Sequence, residues 1–443
     1  MTIQPRTLKG FRDYLPVDMI PREQLMETAR RVYRSYGFAP IDTPALEYLE
    51  ILTGKGSEET DRQLYRFEDH GGRKVGMRFD LTVPLARFVA QHASNLTFPF
   101  KRYHIAPVWR GENTQRGRYR EFFQCDFDTI GTLSPAADIE MVLVIHDLIR
   151  ALGIDAFTIH INDRQILNGL LEKLDLADQA TAVLRALDKL AKIGPERVAD
   201  EMKQSAGATS QQAEEVLKLS ELTGAPGEVL TGLTELLAGN ATGETGVHRL
   251  GTLVAGIEAA GVQARRFQLD VSIARGLDYY TGTIVETFLD ELPSIGSICS
   301  GGRYDDLTGV YTKQRLPGIG ASLGLDRLLA AMAELNLGDA KQATAPVFMA
   351  YFCEAGLSTY LRLAAGLRSA GIGVELFPEV KKLAVQLKYA SARGFPVAII
   401  AGEDELARGV CQVKNLTTRT SEEVDVGEST ERLVGAIEHI LRA

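Results

Sequence analysis

Hydrophobic residues in the first third of the chain recur with two different periods, which predict helices and strands. The spacing across residues 17–36 predicts an amphipathic helix ended by Gly37, with an apolar face of Leu25, Ala29, Val32, Tyr33 and Tyr36. Residues 136–153 predict a second long helix, and strand-like stretches lie at residues 38–43, 64–68, 74–80, 100–110, 121–130 and 158–162. Because consecutive strands joined by short turns pair antiparallel, we expect an antiparallel sheet flanked by helices.

The pattern changes at residues 165–262, which predict a helical insertion. No Phe, Tyr or Trp occurs between Phe157 and Phe267, although the chain has 17 Phe, 14 Tyr and 1 Trp. The stretch is rich in Ala, Leu, Glu and Lys, which favour helices. Strand patterns return at residues 267–273 and 282–288, so residues 1–335 read as one domain that the insertion interrupts.

Strands and helices alternate in residues 345–443. Strand patterns at residues 347–352, 374–377 and 397–401 are separated by helical patterns. This alternation predicts a small α/β domain with a parallel core. The predicted fold class is therefore α+β, with an antiparallel sheet, a helical insertion and a C-terminal α/β domain.

Composition excludes several classes of protein. The 443 residues carry a formal net charge of −9, the opposite of what a protein that coats nucleic acid non-specifically shows. We find no run of about 18 apolar residues and no order of residues typical of an export signal, so we expect a soluble cytoplasmic protein. The four cysteines form no CxxC pair, which predicts neither a disulfide framework nor a structural zinc site.

Three polar segments carry candidate chemistry before the insertion. Between Phe98 and Arg120 there are six basic residues and one acidic residue, Glu112, so we expect a bound anion there. In residues 77–84, Asp80 and Thr82 are two apart at a predicted strand end, and together they can hold an ammonium group. A solvated strand terminus is the alternative interpretation of that segment.

The third of these segments is the predicted hairpin across residues 108–128. Arg110 can clamp a phosphate with its planar guanidinium, and Phe122 can stack on a base. Strand alternation places one row of side chains on a single face, namely Arg120, Phe122, Gln124, Asp126 and Asp128. An ordinary hairpin with cross-strand ion pairs is the alternative, but it does not explain a lone aromatic residue in a charged row.

Two more segments follow the insertion. Residues 274–282 bring Arg275, Asp278 and two tyrosines into a turn, for which core packing and a structural ion pair are the alternative. Residues 299–306 lead to the glycine-rich residues 318–327, where a strand backbone can approach a flat ligand. Neither GxxxxGK[ST] nor a GxGxxG after a strand occurs, so the two common nucleotide cradles are absent from the sequence.

Five stretches of the chain together resemble a known family. The hairpin with Arg110 and Glu112 is similar to motif 2 of the class II aminoacyl-tRNA synthetases, residues 318–327 to motif 3, and residues 38–44 to motif 1, the dimer-forming element. Residues 274–282 and 300–305 resemble the two histidine-specific signatures of the histidyl-tRNA synthetases. The resemblance covers nearly the whole chain, which is identified as a member of that family.

The resemblance implies an ATP-dependent ligase that makes histidyl-adenylate and then transfers histidine to tRNA-His. Positioned cations would supply most of the catalysis in the first step, because negative charge builds up on the α-phosphoryl group. Arg110 would bind that phosphate, and Arg275 would act between it and the histidine carboxylate. The other implied ATP contacts are Arg118 and Arg327 to the β and γ phosphates with Mg²⁺, Glu112 to the adenine amino group, and Phe122 beneath the ring.

The resemblance also implies the amino acid site and the partners. Asp80, Thr82 and Gln124 would bind the α-amino group, and Asp128, Tyr280 and Tyr304 would surround the imidazole. Many family members have Glu at the position of Asp80. A carboxylate and a phenol on opposite ring nitrogens select for two polar atoms, so no editing domain is needed. The resemblance implies a homodimer with no permanent cofactor or zinc and no membrane contact.

The C-terminal domain, residues 345–443, would read the anticodon loop. Its candidate phosphate contacts are Lys381, Lys382, Lys388, Arg408 and Lys414, although a solvated helix face explains any one lysine equally well. The basic residues 116–120 lie by correspondence where the tRNA acceptor end would arrive. Two relatives without catalysis remain as alternatives: a histidine-sensing regulatory subunit of ATP phosphoribosyltransferase, and a tRNA sensor.

Overall fold

A computed structural model describes residues 2–54, 58–274, 280–337, 343–427 and 429–442. The chain divides into two compact units. The first comprises Met1–Arg12 and Leu25–Leu337, and the second comprises Asp13–Gln24 and Gly338–Ala443.

Two sheets form the first unit. Its strands are β1 (Ala39–Pro40), β2 (Leu46–Tyr48), β3 (Arg66–Glu68), β4 (Lys74–Met77), β5 (Phe100–Trp109), β6 (Glu121–Ile130), β7 (Phe157–Asp163), β8 (Phe267–Leu269), β9 (Thr283–Leu289), β10 (Cys299–Tyr304) and β11 (Gly318–Gly324). The large sheet has the order β1-β5-β6-β11-β10-β9-β7-β8, and the small one β2-β4-β3.

The helices begin with α1 (Pro16–Ser35), which confirms the first predicted helix. The others up to the end of the first unit are α2 (Leu49–Thr53), α3 (Glu58–Gln63), α4 (Thr82–His92), α5 (Pro135–Ala151), α6 (Arg164–Lys173), α7 (Ala180–Leu187), α8 (Leu190–Ile193), α9 (Pro195–Ala206), α10 (Ser210–Lys218), α11 (Pro226–Leu237), α12 (Ala241–Ala259) and α13 (Leu325–Glu334). Helices α6 to α12 lie between β7 and β8, in the stretch without aromatic residues.

The antiparallel prediction holds for the middle of the large sheet, where β5, β6, β11, β10, β9 and β7 pair antiparallel with their neighbours. It is wrong for both edges, because β1 is parallel to β5 and β8 is parallel to β7. Helices α6 to α12 separate β7 from β8 along the chain, so the connection is long enough for a parallel pair. After these helices the chain re-enters the large sheet, where β8 is the edge strand next to β7.

The strand predicted at residues 74–80 ends earlier, and the helix α4 that follows was not predicted. The strand β4 ends at Met77, and the chain turns so that Asp80 accepts hydrogen bonds from the backbone N–H groups of Thr82 (3.2 Å) and Val83 (2.9 Å). Pro84 fits the first turn of this helix, where its missing N–H costs no hydrogen bond. Leu85 and Val89 are fully buried on the inner face of α4.

The second unit has the parallel strands of an α/β domain and an antiparallel extension. Its elements are β12 (Val347–Met349), α14 (Leu357–Ser369), β13 (Val374–Leu376), α15 (Leu383–Ala392), β14 (Val397–Ile400), α16 (Glu403–Arg408), β15 (Val410–Asn415), β16 (Ser421–Asp425) and α17 (Glu431–Arg442). The sheet has the order β13-β12-β14-β15-β16. The parallel core is confirmed for the first three strands, whereas β15 and β16 pair antiparallel and were not predicted.

None of the four cysteines is in a disulfide, and all four are buried. Cys125 and Cys299 lie in the first unit, and Cys353 and Cys411 lie in the second. Burial raises the pKa of the Cys411 thiol to about 12. Within the described ranges, no helix is long and apolar enough to cross a membrane.

Candidate active site

A cavity of about 340 Å³ lies on one face of the large sheet. Strands β6, β9, β10 and β11 contribute its floor, and the loop between β5 and β6 and the start of α13 contribute its walls. Every predicted site residue that the structure describes lines this cavity: Asp80, Thr82, Arg110, Glu112, Arg118, Phe122, Gln124, Asp128, Tyr280, Tyr304 and Arg327. Arg275 lies outside the described residues.

The row of side chains predicted on β6 faces the cavity. Phe122, Gln124, Asp126 and Asp128 all line it, because residues two apart on a strand share a face. Arg120 precedes the strand instead, and its Nε donates to the carbonyl of Glu112. The alternation of β6 therefore builds the floor, while Arg120 shapes the loop.

Three guanidinium groups line one part of the cavity. The guanidinium of Arg110 lies 4.3 Å from the ring centroid of Phe79 and 5.1 Å from that of Phe122, and its Nε donates to the carbonyl of Phe79. Arg118 is half exposed, 3.8 Å from the carboxylate of Glu112. Arg327, near the start of α13, donates to the carbonyl of Ser297. These groups can bind an anion with several oxygens, such as a triphosphate.

The basic residues between Phe98 and Arg120 do not all lie at the cavity. Arg110 and Arg118 line the cavity, but Arg102 is fully buried and paired with Asp128. Lys101 pairs with Glu140 at 2.7 Å, away from the cavity lining. Only part of the tract therefore lines this cavity. Arg102 is on the same face of the sheet as Asp128 but is fully buried beside it, whereas Lys101 is on the opposite face.

Acidic and phenolic groups line another part of the cavity. The hydroxyl of Tyr304 donates to Oδ1 of Asp128, and the side-chain amide of Gln124 donates to Oγ of Ser322 at 3.0 Å. Asp80 sits in the turn before α4, and Thr82 is the first residue of that helix. The prediction that both stand on a strand end was wrong, although both reach the cavity.

The carboxyl groups of this part have raised pKa values because they are buried. Burial raises the pKa of Asp126 to about 7; Asp128 and Asp80 add to the rise, and Arg102 opposes it. Burial also raises the pKa of Asp128, against the effects of Arg102 and the Tyr304 hydroxyl. Burial also raises the pKa of Asp80, although the Val83 N–H and Arg110 oppose the rise. Buried acceptors of this kind suit a cationic ligand with N–H donors.

The glycines on β10 and β11 make room for site residues. A Cβ at Gly318 would lie 2.3 Å from the ring of Tyr304, and one at Gly320 would lie 2.2 Å from Oδ1 of Asp128. A Cβ at Gly302 would lie 3.0 Å from the ring of Tyr280. Glycine at these positions lets the side chains that line the cavity pack against the sheet.

Some residues around the cavity had no role in the sequence interpretation. Asp326 lies in the first turn of α13, where it accepts hydrogen bonds from Arg12 (2.8 Å) and from the Phe123 N–H (2.9 Å). Arg12 also donates to the hydroxyl of Tyr119. This contact set joins α13 to the β5–β6 hairpin. Asp326 directly precedes Arg327 in the glycine-rich segment, and this position could have indicated that it lies at the cavity.

Arg303, in the segment 299–306, faces away from the cavity. It is absent from the cavity lining and donates to Asp138, to Asp305 (3.2 Å) and to the carbonyl of Thr132 (3.0 Å). Its role is therefore structural. In the parts of the chain that the structure describes, no group of three His, Cys, Asp or Glu side chains is arranged to hold a metal ion.

The candidate tRNA contacts of the second unit lie on its surface. Lys381 is exposed and paired with Glu379 at 2.9 Å, and Lys382 is exposed just before α15. Lys388 is exposed on α15, Arg408 ends α16 and pairs with Glu423 at 3.2 Å, and Lys414 is half-buried on β15. Two of the five candidate contacts, Lys381 and Arg408, are therefore paired with carboxylates.

Comparison with known proteins gives matches over nearly the whole chain. The family model described as histidyl-tRNA synthetase matches residues 10–328, and the model described as anticodon binding domain matches residues 347–435. A protein of Rhodopirellula baltica named histidine–tRNA ligase is 64% identical over 98% of this chain and 99% of its own length. A protein of the same name from Wolinella succinogenes is 45% identical over 94% of both chains.

A solved structure agrees with these matches. The crystal structure of histidyl-tRNA synthetase from Nostoc sp. PCC 7120 superposes with a TM-score of 0.90 at 34% identity, and the match covers 100% of both chains. The similarity therefore extends through both units.

Proposed function

Because the chain belongs to the histidyl-tRNA synthetase family, we propose that it is a histidine–tRNA ligase. It activates L-histidine with ATP to histidyl-adenylate and transfers histidine to tRNA-His. The observation that carries this proposal is one cavity lined by guanidinium groups and, beside them, by buried carboxyl and phenol groups. Such a cavity can hold a nucleotide's phosphates next to an amino acid with an imidazole.

In the first step, a carboxylate oxygen of histidine attacks the α-phosphorus of ATP, and pyrophosphate leaves with the electrons of the broken P–O bond. Arg110 stabilises the charge on the α-phosphoryl oxygens, and Arg275 acts between that group and the carboxylate. ATP enters as its Mg²⁺ complex, with Arg118 and Arg327 at the outer phosphates. Phe122 lies beneath the adenine, and Glu112 accepts from its amino group.

The histidine substrate is recognised through its N–H groups. Asp80, Thr82 and Gln124 bind the α-ammonium, while Asp128, Tyr280 and Tyr304 surround the imidazole. The Tyr304–Asp128 hydrogen bond supports this assignment, because it holds both groups in a fixed arrangement at the cavity. In the second step, the terminal ribose hydroxyl of tRNA-His attacks the carbonyl carbon of the adenylate, and AMP leaves.

We also propose a domain organisation and an oligomeric state. Residues 1–335 form the catalytic domain, residues 165–262 its helical insertion, and residues 345–443 the anticodon-binding domain. The match of an anticodon-binding model to residues 347–435 supports the last assignment. The protein acts as a homodimer through the motif 1 segment, residues 38–44, in the cytoplasm where tRNA is used, without resident zinc or another permanent cofactor.

Pyrophosphate exchange tests the proposed function. The purified chain should exchange labelled pyrophosphate into ATP only when L-histidine is present, and it should charge tRNA-His but not a tRNA for another amino acid. If L-histidine binds but supports neither exchange nor charging, the chain is a histidine sensor and the proposal is wrong.

A further inference from the structure

A buried positive charge lies beside the proposed histidine site. The side chain of Arg102 on β5 is 0% exposed, and its Nη2 is 2.6 Å from Oδ2 of Asp128. The same nitrogen is 3.4 Å from the carbonyl oxygen of Leu81, at the start of α4. Arg102 and Asp128 face each other in the register of β5 and β6, so the sheet fixes the pair. Arg102 does not line the cavity and cannot contact a ligand there.

Asp128 is held from two directions. Arg102 meets one of its oxygens, and the Tyr304 hydroxyl donates to the other. Asp128 therefore has one partner on the neighbouring strand β5, outside the cavity lining, and one partner in the lining itself. The guanidinium stabilises the charge of the carboxylate, and the two partners together restrict its orientation.

Arg102 is surrounded by more negative than positive charge. Asp80, Asp126 and Asp128 all line the cavity close to it, and Arg102 lowers the pKa of each. Oδ1 of Asp126 has no hydrogen-bond partner within the described part of the chain. Other titratable or polar groups near these carboxyls in the described part of the chain include Tyr33 on α1, Arg78 after β4, His104 on β5, Arg110 after β5, Cys299 and Tyr304 on β10, and Ser322 on β11.

None of these neighbours replaces Arg102 at Asp128. His104 lies next to it on the same face of β5, but burial, Arg102 and Arg78 lower the pKa of His104 to about 4, so this side chain is neutral near pH 7. Arg78 donates to the carbonyls of Thr43 (2.6 Å) and Pro107 (2.9 Å). A buried carboxylate that loses its cation takes up a proton, and it then donates a hydrogen bond where the bound form of the site needs an acceptor.

We propose that Arg102 is a positioning residue for histidine: its guanidinium keeps Asp128 ionised and oriented as an acceptor for the imidazole N–H. This inference rests on the proposed function, and it deepens the assignment of the histidine site. Its alternative is an ordinary buried ion pair that only stabilises the fold, in which case the loss of Arg102 affects every substrate alike.

The test compares R102Q and R102K with the parent protein in pyrophosphate exchange between pH 6 and pH 9. R102Q removes the charge but keeps hydrogen-bonding groups, whereas R102K keeps the charge. We expect R102Q to raise the KM for L-histidine about 10- to 100-fold near neutral pH, because a neighbouring opposite charge shifts a carboxyl pKa by about 1–3 units. The KM for ATP and kcat should change less than about threefold.

The pH profile separates the two explanations. In R102Q the acidic limb of kcat/KM for histidine should move to higher pH by about 1 unit or more, and activity should recover at alkaline pH. In R102K the limb should stay close to that of the parent. A loss that is equal at every pH, or equal for histidine and ATP, would overturn the inference.

A second measurement covers the case in which R102Q does not fold. Carbon-13 NMR of the parent, with aspartate labelled at Cγ and D128N used for assignment, should find Asp128 ionised at pH 7. A protonated Asp128 at that pH would contradict the inference. A parent protein without histidine-dependent exchange would count against the proposed function, whereas an active parent together with an unimpaired R102Q would count against Arg102 alone.

Discussion

Tyr304 on β10 and Asp128 on β6 are joined by a hydrogen bond across the intervening strand β11. Both side chains are buried, and both line the cavity. Gly318 and Gly320 on β11 permit this contact, because a Cβ at either position would collide with one of the two side chains. The geometry of the proposed imidazole site is therefore encoded in three neighbouring strands.

Tyr304→Phe tests this contact. The variant removes one hydrogen bond to a charged group, worth about 1.5–3 kcal/mol, so we expect the KM for L-histidine to rise at least about tenfold. Pyrophosphate exchange measures the effect. Tyr311→Phe is the matched control, since its hydroxyl donates to the Ile51 carbonyl outside the cavity lining. Equal effects in the two variants would refute a role of Tyr304 in histidine binding.

Arg110 is proposed to act on the α-phosphate, so its loss should lower the rate of adenylation. We expect Arg110→Ala to reduce kcat about 100- to 1,000-fold. Arg110→Lys should restore little, because an ammonium group lacks the planar fork of the guanidinium. Single-turnover formation of histidyl-adenylate is the measurement.

Arg116→Ala is the control for Arg110. Arg116 is exposed on the same hairpin and pairs with Glu334 at 2.6 Å, and it does not line the cavity. Its replacement should leave adenylation within about twofold of the parent, as expected for an exposed ion pair. A normal adenylation rate in Arg110→Ala would disprove the assignment.

Gly320→Ala should damage the site from within the sheet. The new Cβ would lie 2.2 Å from Oδ1 of Asp128 and 2.3 Å from the Phe127 carbonyl oxygen, so the strands must shift. We expect a lower free energy of unfolding, by about 1–3 kcal/mol, together with a raised KM for histidine. Gly309→Ala is the control, because its Cβ would meet nothing within 4 Å. Thermal unfolding and pyrophosphate exchange on both variants check this prediction.

Asp163 should make stability depend on pH. It is buried at the start of α6, where Oδ1 accepts from the Gln165 N–H at 2.8 Å, and burial raises its pKa from 3.8 to about 7. The folded chain therefore binds this proton more tightly than the unfolded chain. The stability that Asp163 contributes is present below about pH 4 and is lost as pH rises to about 7.

Asp163→Asn keeps the helix cap and removes the titration. We expect the variant to be more stable than the parent by about 1–4 kcal/mol at pH 8, with a smaller difference at pH 5. Denaturant unfolding at the two pH values measures this difference. A difference that does not change with pH would show that the Asp163 carboxyl does not titrate in this range.

The β5–β6 hairpin could be predicted in detail because alternation is a local property. Phe122, Gln124 and Asp128 share a face whatever their strand packs against. The start of α4 could not be predicted in the same way. Asp80 and Thr82 read as a strand end, yet the Asp80 carboxylate accepts from two backbone N–H groups and starts a helix.

Contacts between residues that lie far apart in the chain could not be predicted from the sequence. Arg102 appeared as one of several basic residues in a tract, and nothing near it in the sequence indicates that it lies fully buried against Asp128. The edge pairing of β7 with β8 also depends on where seven intervening helices return the chain. Residue type and spacing indicated the chemistry, whereas the pairing of charges required the fold.

The four buried thiols can report local unfolding, because each compact unit contains two of them. Two cysteines lie in each compact unit, and all four are buried in the folded chain. A maleimide added under mild denaturing conditions would mark only chains that have opened, since thiols shielded in this way react slowly. Mapping the marked peptides would then tell which half of the molecule loosens first, without any engineered probe.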